Sequence, residues 1–414
     1  MSPPEDLDVE FVRGQFPQLA RGDLAYFDNA GGSLAPSSVV ERMRAFMTEC
    51  QVQPNGGYGP SAEATARLAE AHRLMAALIN ASPEEVVIGH STTMNVYVLA
   101  QAFRPLLRPG DEIVVTNLDH EANNGAWRRL AEAGAVVKEW RVNPETAEIE
   151  IETLERLLSE RTRLVAFSHC SNIAGGFNDA AAIVRRVHEA GALACVDGVA
   201  FAPHRRVDVK ALDVDFYLLS LYKVYGPHHA LLYGKREHLM ALRGQNHFFI
   251  GEDEVPLKLM VGGYDFEVVG AATGIMDYFD SLHRHHFPGS NAPLAQRLSE
   301  VYGLIARHEE RIARPFADFL AAKRNVRVIG RPGADKGRRA PTFSFVVEGR
   351  DSAEIARRVD GHGVGIRHGD FYAYRLVRDL GLLARNGVVR ASMLHYNNSD
   401  DVARLIRALD EAIG

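Results

Sequence analysis

Residues 193–198 read LACVDG, and residues 215–227 read DFYLLSLYKVYGP. Each segment contains a short apolar run that passes into polar or turn-forming residues. Continuous hydrophobic runs of this length are typical of parallel strands that are buried on both faces. The two segments therefore predict neighbouring strands of an α/β sheet, one ending at Asp197 and the other leading into Lys223.

The same pattern extends to both sides of these segments. Further apolar runs predict strands at residues 112–116, 164–168 and 229–233. Amphipathic stretches at 123–133 and 179–190 predict helices between strands. Alternating strands and helices are typical of an open sheet with right-handed crossovers, so we expect all five runs to be parallel strands of one α/β domain.

The pattern changes to α+β after about residue 285. Residues 291–322 predict a long helix with a break at Pro315. Further strands are predicted at 325–330, 342–349, 364–369 and 387–394, and further helices at 352–359 and 401–413. We therefore expect two domains: a large one of residues 25–285, and a small α+β domain of residues 286–414 with residues 1–24 packed against it.

Composition excludes several classes of protein. The 414 residues are 46% hydrophobic and 24% charged, with a net charge of -6, which gives no reason to expect a nucleic acid or membrane partner. The first residues carry no basic segment typical of a signal peptide. Three cysteines without CxxC spacing predict neither a disulfide framework nor a zinc site, so a cytoplasmic setting is expected. Nucleotide-binding glycine motifs and HExxH are absent, and the His228–His229 and His285–His286 pairs are interpreted as ordinary histidines rather than metal ligands.

Lys223 and Asp197 are the candidate catalytic pair. Only seven lysines occur in the chain, and Lys223 lies between two apolar runs, where burial lowers the pKa of an amine and makes it a nucleophile. An amine and an acid on adjacent strand ends suit pyridoxal 5'-phosphate (PLP): the lysine binds the aldehyde and the acid keeps the ring nitrogen protonated. Taken singly, Asp197 also fits a helix cap and Lys223 the end of a buried strand; their succession along the strand ends favours the cofactor site.

Other parts of such a site follow the remaining strands. Ser91 and Thr92 come after an apolar run and before a helical pattern, where backbone N–H groups and hydroxyls bind phosphate. His120, in the loop after residues 112–116, is a candidate to stack on the cofactor ring. Asn172, after residues 164–168, is a candidate to hydrogen-bond its phenolic oxygen. Each residue alone also fits an ordinary cap or loop position.

These residues resemble a known family. The chain looks like the class V aminotransferase group of PLP enzymes, in its cysteine desulfurase and selenocysteine lyase-like branch, from about residue 24 to the end. The segments that carry the resemblance are YFDNAGGS (26–33), STTMN (91–95), LDHEAN (118–123), SHCSNIAGG (168–176), VDGVAFAPHRRVDV (196–209), SLYKVYGPHHALLYG (220–234) and VVRASMLHYNN (388–398). The resemblance implies the PLP-dependent transferase fold of type I, with a mainly parallel large domain and a smaller C-terminal domain.

The resemblance also implies roles for individual residues. Lys223 would be the Schiff-base lysine, Asp197 the partner of the pyridine nitrogen and His120 the stacked ring, with Thr92 and Ser220 at the phosphate. Tyr222 replaces a family histidine and retains a hydroxyl for the phosphate. Thr273 would reach the phosphate across a homodimer interface. Arg390 would clamp the substrate α-carboxylate, with Asn172 nearby.

Departures from the family concern the reaction. Residues 367–374, RHGDFYAY, match a mobile loop whose cysteine takes up sulfur in desulfurases, but they contain no cysteine. Ala200 replaces a glutamine, and Gly31 and Gly32 leave room near the substrate side chain. His368, Tyr372 and Tyr374 would supply a proton donor or shape the pocket, or simply pack between domains. We expect a lyase that cleaves a Cβ–X bond of a cysteine-like or acidic amino acid; decarboxylation with C–C bond formation, transamination, epimerisation and a non-catalytic role are the alternatives.

Overall fold

The computed structural model describes residues 6–414. Its strands within that range are β1 (Ala25–Tyr26), β2 (Val86–Gly89), β3 (Glu112–Thr116), β4 (Val136–Trp140), β5 (Thr162–Ser168), β6 (Leu193–Asp197), β7 (Phe216–Ser220), β8 (Ala230–Gly234), β9 (Val326–Ile329), β10 (Thr342–Val347), β11 (Val364–Gly365), β12 (Arg367–Gly369) and β13 (Val388–Ser392). Its α-helices there are α1 (Val9–Gly14), α2 (Ser37–Glu49), α3 (Gly59–Leu78), α4 (Thr92–Phe103), α5 (Gly125–Arg128), α6 (Ile151–Glu155), α7 (Ala180–Glu189), α8 (Val209–Leu212), α9 (Arg236–Ala241), α10 (Phe266–Ala271), α11 (Thr273–His286), α12 (Leu294–Ala322), α13 (Ser352–Asp360), α14 (Tyr374–Asp379) and α15 (Ser399–Ile413).

The large sheet has seven strands in the order β2-β8-β7-β6-β5-β3-β4. Strands β7, β6, β5, β3 and β4 are parallel to one another, as predicted from their apolar runs. Alternate residues explain those runs: Val165 and Val196 face one hydrophobic cluster, whereas Leu164 and Cys195 face the other. The sheet is therefore covered on both faces, which leaves no place for exposed polar residues along the strands.

Strand β8 corrects one prediction, since the run at 229–233 was expected to be parallel. It pairs antiparallel with both β7 and β2. The connection from β7 spans only residues 221–229, whereas a parallel crossover needs about a dozen residues or more. The chain therefore turns straight back, and the turn carries Lys223.

The C-terminal part forms a second, antiparallel sheet in the order β12-β13-β10-β9. Strands β1 and β11 pair in parallel beside it, and a bridge from Asp28 to Ser392 extends this contact. Helix α12 joins the two parts, because its first half packs in the core of the large sheet and its second half in that of the small sheet. The proposed domain limit at residue 285 lies just before this helix.

Two predicted helices differ from the structure. Helix α12 continues through Pro315 without a break, because Ile312, Phe316 and Leu320 are all buried on its core-facing side. At 123–133 only α5 is α-helical, between 3₁₀ turns. There the buried Asn123 and Asn124 side chains bond to Trp127 and to the Thr116 carbonyl, which competes with regular helix. Among residues 6–414, no helix is both long and apolar enough to cross a bilayer.

Candidate active site

The carboxyl ends of the parallel strands open onto one cavity of about 540 Å³. Strand register places Asp197, the last residue of β6, between Ser168 of β5 and Leu218 of β7. The turn after β7 brings Lys223 to the same edge, where open α/β sheets bind their ligands. Eight predicted residues line this cavity: Ser91, Thr92, His120, Asn172, Asp197, Ser220, Tyr222 and Lys223.

Lys223 is the last residue of a 3₁₀ turn and is buried, with 7% of its surface exposed. Burial lowers the pKa of Lys223 to about 8, and the positive charge of Arg390 lowers it further, whereas Asp197 and Asp28 act in the opposite direction. A substantial fraction of the side chain is therefore a neutral amine near pH 8. A neutral amine is what attack on an aldehyde requires.

Asp197 is a buried carboxylate with little compensation for its charge. One backbone N–H, from Val199, donates to Oδ1 at 2.9 Å, and within residues 6–414 it forms no ion pair. Burial raises the pKa of Asp197, although the Val199 hydrogen bond and the charge of Lys223 lower it in part. A carboxylate in this position is stabilised by a cationic N–H group in the cavity. A protonated pyridine nitrogen is such a group.

The N-terminus of α4 forms the predicted phosphate cradle. Ser91 caps this helix, its Oγ accepting from the N–H of Met94 at 3.2 Å. The hydroxyls of Thr92 and Ser220 lie 2.8 Å apart and are buried together at the cavity wall. Helix N-terminal N–H groups with adjacent hydroxyls bind a phosphate without needing a lysine.

His120 and Tyr222 flank the cavity as neutral aromatic groups. Burial lowers the pKa of His120 to about 3, and the charges of Lys223 and Arg390 contribute to the same shift. Its Nδ1 accepts a hydrogen bond from the N–H of Ala122 at 3.0 Å. The imidazole is therefore uncharged at neutral pH, which suits stacking on an aromatic ring better than proton donation as an imidazolium.

A second cavity of about 780 Å³ adjoins the first and shares His120, Asn172, Tyr222 and Lys223 with it. Arg390 lies on its wall with 2% of its surface exposed. Burial lowers the pKa of Arg390 to about 10, so the guanidinium is charged at neutral pH. The amine and the guanidinium therefore face one connected space, as binding of an amino acid between them requires.

The loop that closes this second cavity contains residues 367–374. His368 lies on its wall and is exposed. Phe371 packs against the guanidinium of Arg390, 3.7 Å from its ring centre, and its carbonyl accepts from Asn172 Nδ2 at 3.0 Å. Both Phe371 and Tyr372 have positive φ angles, 50° and 61°, which are uncommon outside glycine. Strained backbone of this kind is concentrated at ligand-binding sites.

Thr273 is the predicted cofactor residue that the structure does not bring to either cavity. It is 2% exposed, and its hydroxyl donates to the carbonyl of Gly270 at 2.8 Å within the same chain. A side chain buried in its own subunit is not available to cross a dimer interface. Its predicted contact with a partner's phosphate is therefore a correction that this fold imposes.

Sequence reasoning missed three groups at the site. Asp119 is 2% exposed beneath it, and burial together with repulsion from Asp197 raises its pKa to about 7. Cys170 faces the first cavity, and burial raises the pKa of its thiol to about 12. Asp28 forms an ion pair with Arg390. Asp119 and Cys170 directly follow predicted strand segments, which was a usable signal; the Asp28 pairing had none.

The residues present fit PLP. The first cavity offers a phosphate cradle, an amine for the aldehyde and an uncompensated acid for the ring nitrogen. This site on this sheet defines the class of the protein as the PLP-dependent enzymes of fold type I.

Comparisons with known proteins give the family within that class. The family model for aminotransferase class V matches residues 25–254 and 300–405. The chain is 38% identical to the aminotransferase-like protein FGM3 of Gibberella zeae, over 97% of this chain and 98% of that protein. It is 34% identical to the cysteine desulfurase-like protein ustD of Aspergillus flavus, over 98% and 91% respectively. The crystal structure of the cysteine desulfurase CsdA from Escherichia coli superimposes with a TM-score of 0.82 and 28% identity, over 98% of each chain.

This chain therefore belongs to the class V aminotransferase family. Its cofactor is PLP, which members of this family use, and the similarity to cysteine desulfurase-like proteins supports lyase-like chemistry on an amino acid.

Proposed function

We propose that this protein is a PLP-dependent lyase that cleaves the Cβ–X bond of a cysteine-like or acidic amino acid, without forming a persulfide on its own loop. The observation that carries the proposal is that Lys223 and Arg390 face one cavity whose closing loop, residues 367–374, lacks a cysteine. When bound, PLP supplies an electron sink for the bond broken at Cα.

Each residue then has a defined task. Arg390 binds the α-carboxylate with its guanidinium and so fixes Cα beside Lys223. The amine of Lys223 accepts the Cα proton at Nζ, since its lowered pKa makes it a base near neutral pH. Asp197 holds positive charge at the far end of the first cavity, and His120 covers one face of the cofactor. Phe371 and Tyr372 limit access of water to the reacting atoms.

The bond balance needs no thiol on the protein. The Cα proton goes to Lys223, and the leaving group departs from Cβ with the bonding electrons. Hydrolysis of the remaining three-carbon unit consumes one water and yields pyruvate and ammonia. Cys170 is a poor sulfur acceptor, because its thiol stays protonated at neutral pH and its Sγ lies against the carbonyls of Ser171 and Gly175.

Product analysis tests the proposal. Holoenzyme is incubated with amino acids that carry a leaving group at Cβ, and pyruvate, alanine, ammonia and CO₂ are measured. Pyruvate or alanine without CO₂ supports cleavage at Cβ, whereas CO₂ release indicates decarboxylation and contradicts it. Lys223→Ala is expected to abolish turnover. Intact-mass spectrometry after turnover with cysteine is expected to show no sulfur added to the protein; a persulfide on Cys170 would contradict this part of the proposal.

We further propose a cytoplasmic homodimer acting on a free amino acid. Three unpaired cysteines, all buried, support a reducing compartment. The adjacent Phe248 and Phe249, 99% and 68% exposed, support a protein partner on that surface. Light scattering on the holoenzyme, with Phe248→Ser as the variant, tests the dimer; a monomeric wild type would contradict it.

A further inference from the structure

Three potential metal ligands meet next to the phosphate cradle, outside the catalytic groups. They are His90, His229 and Asp265, and one ligand atom of each lies within 4.8 Å of the others. Strand pairing fixes two of them, because β2 and β8 are antiparallel with Gly89 opposite Ala230. His90 follows Gly89 and His229 precedes Ala230, so both histidines lie at the same edge of the sheet. Asp265 is the residue before α10.

His229 presents a buried lone pair to this cluster. Its Nδ1 lies 2.6 Å from the carbonyl oxygen of His228, and a carbonyl can only accept, so Nδ1 carries the proton. Nε2 is then the acceptor nitrogen. The residue is 2% exposed, and within residues 6–414 Nε2 has no hydrogen-bond partner. Metal-binding histidines are oriented in this way, with the second nitrogen donating to a carbonyl.

His90 and Asp265 form the open side of the cluster. Their side chains are 51% and 56% exposed, and Nδ1 of His90 lies 3.7 Å from Oδ2 of Asp265, too far for a hydrogen bond. The rings of His90 and His229 are 5.4 Å apart between centres and inclined at 60°. Both outer ligands are therefore free to move, and a cation has access from solvent.

We propose that His90, His229 and Asp265 bind one divalent transition-metal ion, preferably Zn²⁺, with water as the remaining ligand. Two imidazole nitrogens and one carboxylate oxygen are a donor set that zinc accepts. Ligand atoms about 2.0–2.2 Å from one ion lie at most about 4.4 Å apart, so the cluster has to contract slightly. The exposed side chains of His90 and Asp265 permit this movement. The bound ion joins β2, β8 and α10 one residue from Ser91.

Zinc titration of the holoenzyme tests this site independently of the proposed reaction. Tag-free protein is freed of metal with a chelator, titrated with Zn²⁺ by calorimetry, and analysed for bound zinc by mass spectrometry after gel filtration. One ion per chain is expected. His90→Ala and Asp265→Asn, both at exposed positions that are safe for folding, are each expected to weaken binding by about 10–100-fold or more.

His362→Asn is the matched control. His362 and Glu411 form another exposed histidine–carboxylate pair, 3.6 Å apart, but no third ligand is grouped with them among residues 6–414. This variant is expected to bind zinc like the wild type. Failure of the wild type to retain zinc would overturn the proposal, and so would equal losses in His90→Ala and His362→Asn, which would indicate adventitious surface binding.

Discussion

Arg390 is paired with Asp28 across the two parts of the chain: Nη2 lies 2.9 Å from Oδ1. The other carboxylate oxygen of Asp28 is 3.6 Å from Arg367. Nη1 of Arg390 donates to the carbonyl of Asn172, whereas the buried Nε has no partner within the described chain. The guanidinium proposed to bind substrate is thus partly neutralised by the protein and partly unsatisfied.

Asp28→Asn is expected to lower KM for the amino-acid substrate. The substrate α-carboxylate competes with Asp28 for the guanidinium, and asparagine keeps an acceptor while removing the charge. Exchange of one charged acceptor for a neutral one changes binding by on the order of 1 kcal/mol, about fivefold in KM. Steady-state kinetics measures the change. Binding of an amine that lacks the α-carboxylate serves as control and should not tighten; a raised KM for the amino acid would show that Asp28 aids binding.

Arg390→Lys is expected to reduce kcat/KM by about 10–100-fold, because lysine retains the charge but loses the planar pair of donors. The loss should appear mainly in KM for an α-amino acid. Arg378→Lys is a matched control, since Arg378 is exposed on α14 and pairs with Asp379. Equal kinetic effects of the two substitutions would exclude a carboxylate-binding role for Arg390.

The lowered pKa of Lys223 predicts the pH dependence of cofactor capture. The neutral amine is the reactive form, and it becomes dominant above about pH 8 rather than above the ordinary 10.5. The rate at which apoprotein takes up PLP should therefore rise with pH, about tenfold per unit well below pH 8, and level off above it. Stopped-flow absorbance between pH 6 and 9.5 measures this rate. A rate that still rises steeply above pH 9 would show that burial does not lower this pKa.

Much of this site follows from local sequence, because parallel strands end at one edge. Asp197 and Lys223 follow apolar runs, so their proximity was predictable without a structure. The direction of β8 was also within reach, since nine residues are too few for a crossover. The pairing of Asp28 with Arg390 was not, because it joins residues 362 positions apart through the packing of β1 and β13 against each other.

Thr273 and His229 show the same limit from opposite sides. A threonine next to glycines matched a family pattern, yet its depth in the core depends on how α2 and α11 pack. His229 was interpreted as an ordinary histidine, because a sequence does not show that Nε2 is buried without a partner. Local pattern therefore predicts which residues reach the sheet edge, and tertiary packing decides which polar atoms stay unsatisfied.

Gly198→Ala is expected to destabilise the fold and disturb Asp197 together. The N–H of Gly198 donates to Leu218 at 2.8 Å, which fixes the backbone, and a Cβ at this position would lie 2.0 Å from Oη of Tyr217. Tyr217 cannot swing aside, because it is buried and its hydroxyl is 2.9 Å from Nδ1 of His169. His169 is in turn stacked on Phe201 at 3.6 Å.

The added methyl group must therefore move the end of β6, which carries the acid proposed to hold the cofactor. Overpacking of this kind lowers the free energy of unfolding by about 1–3 kcal/mol, measurable by urea denaturation of the apoprotein. Gly303→Ala is the matched control. Gly303 lies inside α12 with only ordinary contact for a Cβ, so alanine should raise stability there by roughly 0.5–1 kcal/mol. PLP affinity should fall only in Gly198→Ala; unchanged stability and affinity in that variant would mean that the close approach of β6 and Tyr217 does not position Asp197.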